Sequence, residues 1–199
     1  MARPSSAAGG VGDAKAALRR RMEAVSPATP AESRAVTARL GRLSTWQRAE
    51  SACLFLPMAG ELDVTGLMAL HPAVAWLVTR TPPHGALTVH SVDAPRERHP
   101  WGFEQPVADA ARVAPDSVDV FVVPGVAFDR RGSRLGHGAG YNDRLLAAAH
   151  NRATFVAATL RRRLVPVVPV EDHDVSMHAV VTEAATLHVG SPGSPPPLA

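Results

Sequence analysis

The sequence predicts a three-layer α/β fold, in which a largely parallel central sheet lies between helices. Apolar runs rich in β-branched and aromatic residues alternate along the chain with stretches whose apolar residues recur at helical spacing. Prolines and glycines stand at the ends of these runs, where strands and helices commonly stop. The chain has 199 residues and is 46% hydrophobic, which suits one domain with a substantial core.

The elements are predicted in chain order with short connections. The strands are predicted at residues 51–56, 73–79, 87–92, 118–123, 154–160 and 179–183, and the helices at 14–25, 30–43, 64–70 and 141–149. The buried side of the second helix is predicted to carry Ala35, Val36, Leu40 and Leu43.

The two ends of the chain are predicted to be tails. Residues 1–12 are rich in Ala, Gly and Ser and are expected to be disordered, with Asp13 capping the helix that follows. Residues 190–199 are rich in Gly, Pro and Ser and are expected to form a loose C-terminal tail.

Charge and cysteine content argue against several classes of protein. The formal net charge is only +3, and the basic run Arg161–Arg163 lacks interleaved aromatic residues, so it is expected to be solvated rather than a nucleic-acid patch. Cys53 is the sole cysteine, which rules out an intrachain disulfide and predicts a small core residue. With no apolar span of the roughly 20 residues that a bilayer requires, the chain is expected to be cytoplasmic, without membrane or nucleic-acid partners.

The stretch from Val118 to Leu146 is the most informative part of the chain. A buried strand ends at Pro124-Gly125, a loop with glycines at 132, 136, 138 and 140 follows, and a helix begins near Tyr141. Glycines let backbone N–H groups approach a ligand, so strand, glycine loop and helix together favour binding of an anion. Arg134 can neutralise a phosphate, and Asp143 can hold a divalent cation. The glycine spacing is neither the Walker pattern nor GxGxxG, and an ordinary glycine-rich connection is the alternative.

The full string of this loop resembles the signature of the 5-formyltetrahydrofolate cyclo-ligase family. The matching residues are Pro124, Gly125, Phe128, Asp129, Gly132, Arg134, Leu135, Gly136, Gly138, Gly140, Tyr141 and Asp143. The resemblance extends over about residues 13–189 and implies a single domain with a Rossmann-like sheet, of the kind found in sugar-phosphate isomerases and CoA transferases. Ala139 and Asn142 depart from the family pattern, which has glycine or lysine and a second tyrosine at these positions.

The resemblance implies roles for residues elsewhere in the chain. The ATP-binding residues would be Lys15, Arg19, Arg134, Leu135, Gly136, His137, Gly138, Ala139, Gly140, Tyr141 and Asn142. The substrate-binding residues would be Leu56, Glu61, Trp101, His137, Gly138, Ala139, Gly140 and Tyr141. Asp143 and Asp174 would hold Mg²⁺. Arg134 and Tyr141 are the candidates for a catalytic role.

Several of these residues have a simpler interpretation from the sequence alone. Lys15 and Arg19 share one face of the first helix and can be a solvated basic surface. Glu61 can be a charge at the start of a helix, and Trp101 can pack within its own loop. Arg80, at the end of a predicted strand, can meet a folate carboxylate or phosphate, or form a structural ion pair. His173 and His178 lack a third histidine or cysteine at metal-ligand spacing, so a zinc site is not expected.

The activity implied by the resemblance is ATP- and Mg²⁺-dependent cyclisation of 5-formyltetrahydrofolate to 5,10-methenyltetrahydrofolate by a monomer, with release of ADP and phosphate. The alternative is a catalytically weak or inactive homologue that binds nucleotide or folate, because Ala139 and Asn142 change the loop. A different enzyme on a related sheet is a second alternative, against which the cations at Lys15, Arg19 and Arg134 argue.

Overall fold

The computed structural model of the chain describes residues 8–149 and 153–190. Residues 1–7 and 191–199 of the two predicted tails lie outside the described residues. The strands are, in chain order, β1 (Ser51–Leu54), β2 (Ala75–Arg80), β3 (Thr88–Ser91), β4 (Arg96–Arg98), β5 (Glu104–Pro106), β6 (Arg112–Val113), β7 (Val120–Val123), β8 (Ala127–Phe128), β9 (Arg134–Leu135), β10 (Thr154–Ala158), β11 (Ala179–Val181) and β12 (Thr186–His188). The α-helices are α1 (Ala8–Glu23), α2 (Pro30–Leu40), α3 (Leu67–Leu70) and α4 (Tyr141–Ala147).

An 8-stranded sheet organises the fold, in the order β12-β11-β10-β7-β1-β2-β3-β6. The strands from β11 to β2 are parallel, and β12, β3 and β6 add antiparallel edges. The prediction of a largely parallel central sheet is therefore confirmed. In register, Cys53 of β1 lies beside Leu77 of β2 and Phe121 of β7. The pairs β4–β5 and β8–β9 form two small separate sheets.

Side chains alternate across the sheet and build two hydrophobic cores. In β7, Val120 and Val122 join the cluster that packs under α2, whereas Phe121 and Val123 join the cluster under α4. Helices thus cover opposite faces, which gives the predicted three layers. Helix α1 packs separately, through a third cluster of Leu18, Met22, Ala127, Leu135, Val165 and Val168. Because Ala127 and Leu135 belong to β8 and β9, α1 lies against the hairpin that enters the glycine loop.

The ends of the first two helices differ from the prediction. Helix α1 begins at Ala8, so residues 8–12 are helical rather than disordered and Asp13 is not its cap. No proline lies between Ala8 and Pro27, and nothing in that stretch stops the helix from extending upstream. Helix α2 begins with a capping box formed by Thr29 and Glu32, and it ends at Leu40 rather than residue 43.

Other differences concern short elements and the basic run. Strands β4, β5, β6, β8, β9 and β12, of two or three residues each, were not predicted, and Ala35 is exposed rather than buried. The expectation of a solvated Arg161–Arg163 is wrong for two of its members. Arg162 forms an ion pair with Glu32, and Arg163 donates to the carbonyl of Val126 at 3.1 Å. Cys53 is buried as predicted, and the helices of the described residues are too short or too polar to cross a bilayer.

Candidate active site

A cavity of about 510 Å³ opens where the parallel strands β1, β2 and β7 end. In the order β10-β7-β1-β2, the connection from β1 leads to β2 on one side of the sheet, and the connection from β7 leads to β10 on the other side. The two connections therefore diverge between β1 and β7. Ligands of open α/β sheets bind in the crevice that such a divergence creates. Its lining contains a charged group, in which Lys15 is ion-paired with Glu171 and Asp174, and an apolar group from one core cluster, which includes Phe121, Leu145 and Leu87. We call these groups the charged end and the apolar end of the cavity.

The glycine loop packs on the guanidinium groups of two arginines. A Cβ atom at Gly136 would lie 2.8 Å from Nη1 of Arg134, and one at Gly138 would lie 3.4 Å from Cζ of Arg19. Arg19 also donates from Nε to the carbonyl oxygen of Gly136 at 2.8 Å. Gly138 has a φ of 110°, which side chains rarely adopt. The glycines therefore allow two cations to lie directly beneath the loop.

Arg134 is buried and paired with one carboxylate. Its Nη2 atom lies 2.6 Å from Oδ1 of Asp143, while its Nε atom is buried without a hydrogen-bond partner among the described residues. The side chain of Arg134 also packs against Gly125, where a Cβ would lie 3.0 Å from its Cγ. Asp143 stands in the first turn of α4, so this ion pair joins the loop to that helix.

Lys15 joins helix α1 to the segment 171–174 across the charged end of the cavity. Its Nζ atom lies 2.6 Å from Oδ2 of Asp174 and 2.7 Å from Oε2 of Glu171, and the residue is 7% exposed. Burial by itself would lower the pKa of Lys15, but hydrogen bonds and charge from Asp174 and Glu171 outweigh it and raise that pKa. Burial would likewise raise the pKa of Asp174, but Lys15 holds it below its usual range. Both groups are therefore charged at neutral pH.

Glu61 lines the cavity from the turn after β1 and approaches the glycine loop. Its Oε2 accepts a hydrogen bond from the backbone N–H of Met58 at 2.9 Å, which folds the carboxylate into the turn that follows β1. Its Oε1 lies 4.0 Å from Nε2 of His137. Leu56, which is half-buried, and Trp101, which is 66% exposed, also line the cavity. The two sides of the cavity thus approach each other at His137 and Glu61.

Comparison with known proteins identifies the family. Residues 13–183 match the model of the 5-formyltetrahydrofolate cyclo-ligase family. The chain belongs to this family. A 5-formyltetrahydrofolate cyclo-ligase from Mycolicibacterium smegmatis is 45% identical over 64 residues, which cover 32% of this chain and 33% of that protein. The Saccharomyces cerevisiae protein of the same name is 37% identical over 79 residues, 37% of each chain. These matches span only about a third of the length of either relative.

A longer match and a solved structure agree with the family and the fold. The Escherichia coli 5-formyltetrahydrofolate cyclo-ligase is 32% identical over 151 residues, which cover 67% of this chain and 78% of that protein. The NMR structure of Aquifex aeolicus 5,10-methenyltetrahydrofolate synthetase superposes with a TM-score of 0.73 at 24% identity, over 91% of this chain and 93% of that one. At this identity the structural likeness concerns the fold.

The residues that the cyclo-ligase resemblance singled out are gathered around one cavity. Its lining includes Lys15, Arg19, Leu56, Glu61, Trp101, Arg134, Leu135, Gly136, His137, Gly138, Ala139, Gly140, Tyr141, Asn142, Asp143 and Asp174. Their roles toward nucleotide, folate or metal stay predictions. Arg80 is outside this lining, because it forms the structural ion pair that was its alternative, with Glu97 at 2.7 Å.

The carboxylates at the charged end suit a hard divalent cation. Asp143 and Asp174 are each bound through one oxygen to a cation, and within the described part of the chain no hydrogen bond reaches Oδ2 of Asp143 or Oδ1 of Asp174. Carboxylate oxygens are the ligands that Mg²⁺ takes, so the residues present fit this ion. Glu171, His173 and Asp174 also form a group whose ligand atoms lie within 4.8 Å of one another. Only Asp174 of this group was predicted as a metal ligand, because spacing alone did not show that Glu171 turns back toward Asp174.

Sequence reasoning also missed Asp129, which supports the start of the glycine loop. Asp129 is 1% exposed, and its carboxylate accepts from the backbone N–H groups of Arg131, Ser133 and Val168, which fixes the start of the loop. Asp129 belonged to the matched string, but no role was assigned to it. Its place in the matched string was the signal that could have identified Asp129. The structure shows its role, because a buried carboxylate requires hydrogen-bond donors and the backbone N–H groups of the loop supply them.

Proposed function

We propose that this chain catalyses the ATP- and Mg²⁺-dependent cyclisation of 5-formyltetrahydrofolate to 5,10-methenyltetrahydrofolate, with release of ADP and phosphate. The observation that carries the proposal is a single cavity with cations and carboxylates at one end and apolar side chains at the other. A metal-bound triphosphate suits the first end, and a flat reduced pterin with its aromatic extension suits the second. The family to which residues 13–183 belong supports the same assignment.

The chemistry needs an activated formyl oxygen. That oxygen attacks the γ-phosphorus, the bond to ADP breaks, and an iminophosphate forms. N10 then attacks the former formyl carbon, the carbon–oxygen bond breaks, phosphate leaves with the formyl oxygen, and the N10 proton is lost. Such transfers depend on positioning and on neutralising phosphate charge rather than on a covalent nucleophile. Lys15, Arg19 and Arg134 are the side chains that would neutralise it, and Arg134 is the strongest catalytic candidate.

The substrate side of the proposal rests on Glu61, Leu56, Tyr141 and Trp101. The carboxylate of Glu61 can accept hydrogen bonds from the amino-pyrimidinone edge of a pterin through Oε1, since Oε2 is already engaged. Leu56 and Tyr141 line the same space and offer apolar surface. His137, which lies near Glu61, belongs to the glycine loop and is therefore expected to contact both substrates.

The proposal includes a metal and a quaternary state. Asp143 and Asp174 would hold Mg²⁺, which would offset charge on the phosphates when bound. The chain is expected to act as a monomer in the cytoplasm, and light scattering of the purified protein tests the monomer.

Turnover with isotope-labelled substrate tests the activity. We expect methenyl absorbance to appear with one phosphate per product, only when 5-formyltetrahydrofolate, ATP and Mg²⁺ are all present. With ¹⁸O in the formyl group, the label should appear in the released phosphate. Arg134→Met should abolish turnover, whereas Arg131→Met, at an exposed position of the same loop, should not. A folded protein that makes no product with all three reactants present contradicts the proposal.

The second candidate is a homologue that binds these ligands without turnover. It is favoured by Ala139, which is exposed in the loop, and by Asn142, which lines the cavity where the family has a tyrosine. Thermal shift with ATP-Mg²⁺ and with 5-formyltetrahydrofolate separately would show binding in both cases. Binding without product, together with activity gained in Asn142→Tyr, would select this candidate.

A further inference from the structure

The hairpin formed by β4 and β5 packs beside β2 without joining the main sheet, and it carries aromatic side chains to the cavity. Its strands pair only with each other, with Glu97 opposite Gln105. The turn between them contains Trp101 and Phe103, which both line the cavity. An isolated two-stranded hairpin is marginally stable in water, so its position depends on what attaches it to the domain.

The tip of the hairpin is organised around His99. The ring of His99 stacks on Phe103 with centroids 4.5 Å apart and planes at 19°, and it meets Trp101 edge-on at 4.9 Å. Its Nδ1 atom accepts a hydrogen bond from the backbone N–H of Trp101 at 3.1 Å. Aromatic contacts of this kind fix ring orientation as well as adding stability. The two aromatic side chains at the cavity are therefore held in one arrangement relative to the hairpin.

The base of the hairpin is attached to β2 through a polar cluster around Glu97. Arg80, 8% exposed at the end of β2, donates from Nη2 to Oε1 of Glu97 at 2.7 Å. Gln105, 2% exposed, donates to the same oxygen at 2.9 Å and accepts from the backbone N–H of Thr81 at 3.1 Å. Thr81 itself lines the cavity. Glu97 therefore joins the buried arginine of β2 to the glutamine that binds Thr81, and its charge supports both contacts of the hairpin with the end of β2.

We propose that Glu97, with Arg80 and Gln105, is a positioning residue that holds the hairpin so that Trp101 and Phe103 form a preorganised stacking surface for the flat ring system of the folate substrate. The proposal rests on the proposed function for the identity of the ligand. Glu97 lies outside the lining of the cavity, so it acts through the hairpin and not by contact with substrate. Preorganisation by a supporting layer raises affinity because less order must be imposed on binding.

The test is a variant pair with a separate measurement for each substrate. Glu97→Gln removes the charge that both donors share, and we expect the KM for 5-formyltetrahydrofolate to rise about tenfold, since small displacements of a binding surface are costly. The KM for ATP should change less than about twofold, because the phosphate end lies on other elements. Glu104→Gln, an exposed position on β5, is the matched control and should leave both constants unchanged. An equal rise in both constants would indicate general destabilisation and overturn the proposal.

A second variant and a measurement without folate keep the result interpretable. Arg80→Met/Glu97→Met leaves no buried charge unpaired, so a rise in the folate KM in this folded variant reports lost positioning. The fluorescence anisotropy decay of Trp101, isolated as the difference from a Trp101→Phe protein, should show wider motion in both variants. This measurement tests the hairpin without any folate. A wild-type chain that neither binds nor converts 5-formyltetrahydrofolate would refute the proposed function but not the positioning role of Glu97. Unchanged Trp101 motion, or an unchanged folate KM where the wild type turns over, overturns the inference.

Discussion

Replacing Lys15 by methionine should change metal and nucleotide binding in opposite directions. Lys15 lies between Asp174 and Glu171, and its stem is buried in α1. Methionine keeps the apolar stem and favours helix about as well as lysine, so the main loss is the charge. Without the ammonium, two neighbouring carboxylates remain unpaired at the charged end of the cavity. We expect them to bind Mg²⁺ more tightly, while ATP loses a cation that would neutralise its phosphates.

The magnitude follows from the distances and the exposure. At 2.6 Å the attraction between Lys15 and Asp174 is about 6 kcal/mol for an effective dielectric constant of about 20. Desolvation offsets much of this, and removing one partner of a buried pair costs about 3–5 kcal/mol. The side chain of Glu171 is 41% exposed and can be hydrated, so we expect a loss of about 3 kcal/mol in the free energy of unfolding. Mg²⁺ at ten times its Kd should then restore about 1.4 kcal/mol.

Urea unfolding with and without Mg²⁺, and calorimetric titration with ATP, measure these effects. Arg20→Met is the matched control, since Arg20 is an exposed cation on the same helix. We expect Mg²⁺ to stabilise Lys15→Met more than the wild type or the control, and the ATP affinity of Lys15→Met to fall at least tenfold, as for loss of a charge-assisted contact. Equal stabilisation of all three proteins by Mg²⁺ would refute the assignment of Asp174 to the metal.

Two further predictions concern stability. Gly132→Ala should lower the free energy of unfolding by about 3 kcal/mol or more, because φ is +81° and the new Cβ would lie 2.4 Å from the carbonyl oxygen of Met177. Gly85→Ala is the control, since Gly85 has a φ of +93° but open space around it, and this variant should show only the backbone strain. Equal losses in urea unfolding of the two variants would contradict this reasoning. Arg162 and the cap at the start of α2 lower the pKa of Glu32 from the usual 4.5 to about 2. The ion pair therefore stabilises the fold fully above about pH 4.5, and its contribution is lost as the pH falls toward 2. An acid-unfolding curve that Glu32→Gln leaves unaltered would show that the pair contributes nothing.

The long elements of the fold were predictable because each carries its own periodic signal. Residues 118–123 form a nearly continuous apolar run, and the four of them that form β7 are fully buried. The hairpin strands β4 and β5 have three residues each, too few for alternation to be recognised, and the Arg80–Glu97 contact that joins them to β2 spans 17 positions. The predicted start of helix α1, at residue 14, lies six residues after the observed start at Ala8. The glycines in this stretch have low helix propensity and therefore indicated a non-helical segment, but no proline there ends the helix.

The location of the site was predictable and its internal pairing was not. A glycine loop after a parallel strand must lie at the carboxyl edge of the sheet, so the matched residues were expected to come together. The partners of their charges are set by how α1 docks on β8 and β9, which no local pattern reveals. Lys15 and Asp174 are 159 positions apart, and the separate packing of Leu18 and Met22 brings them together.

This pairing has a consequence for which ligands the charged end accepts. Arg134 is bound to Asp143, and Lys15 is bound to Asp174, so either of these two cations would leave a carboxylate behind if it turned to a phosphate, whereas Arg19 is bound to the carbonyl oxygen of Gly136. A phosphate that binds without metal would leave both carboxylates unpaired, and a metal that binds without phosphate would leave both cations unpaired. Either case costs free energy, because an uncompensated charge remains partly buried. A ligand that brings charges of both signs replaces both partners in one step. We therefore expect ATP and Mg²⁺ to bind with positive coupling, and because coupling free energies are reciprocal, Lys15→Met should weaken it measured from either ligand.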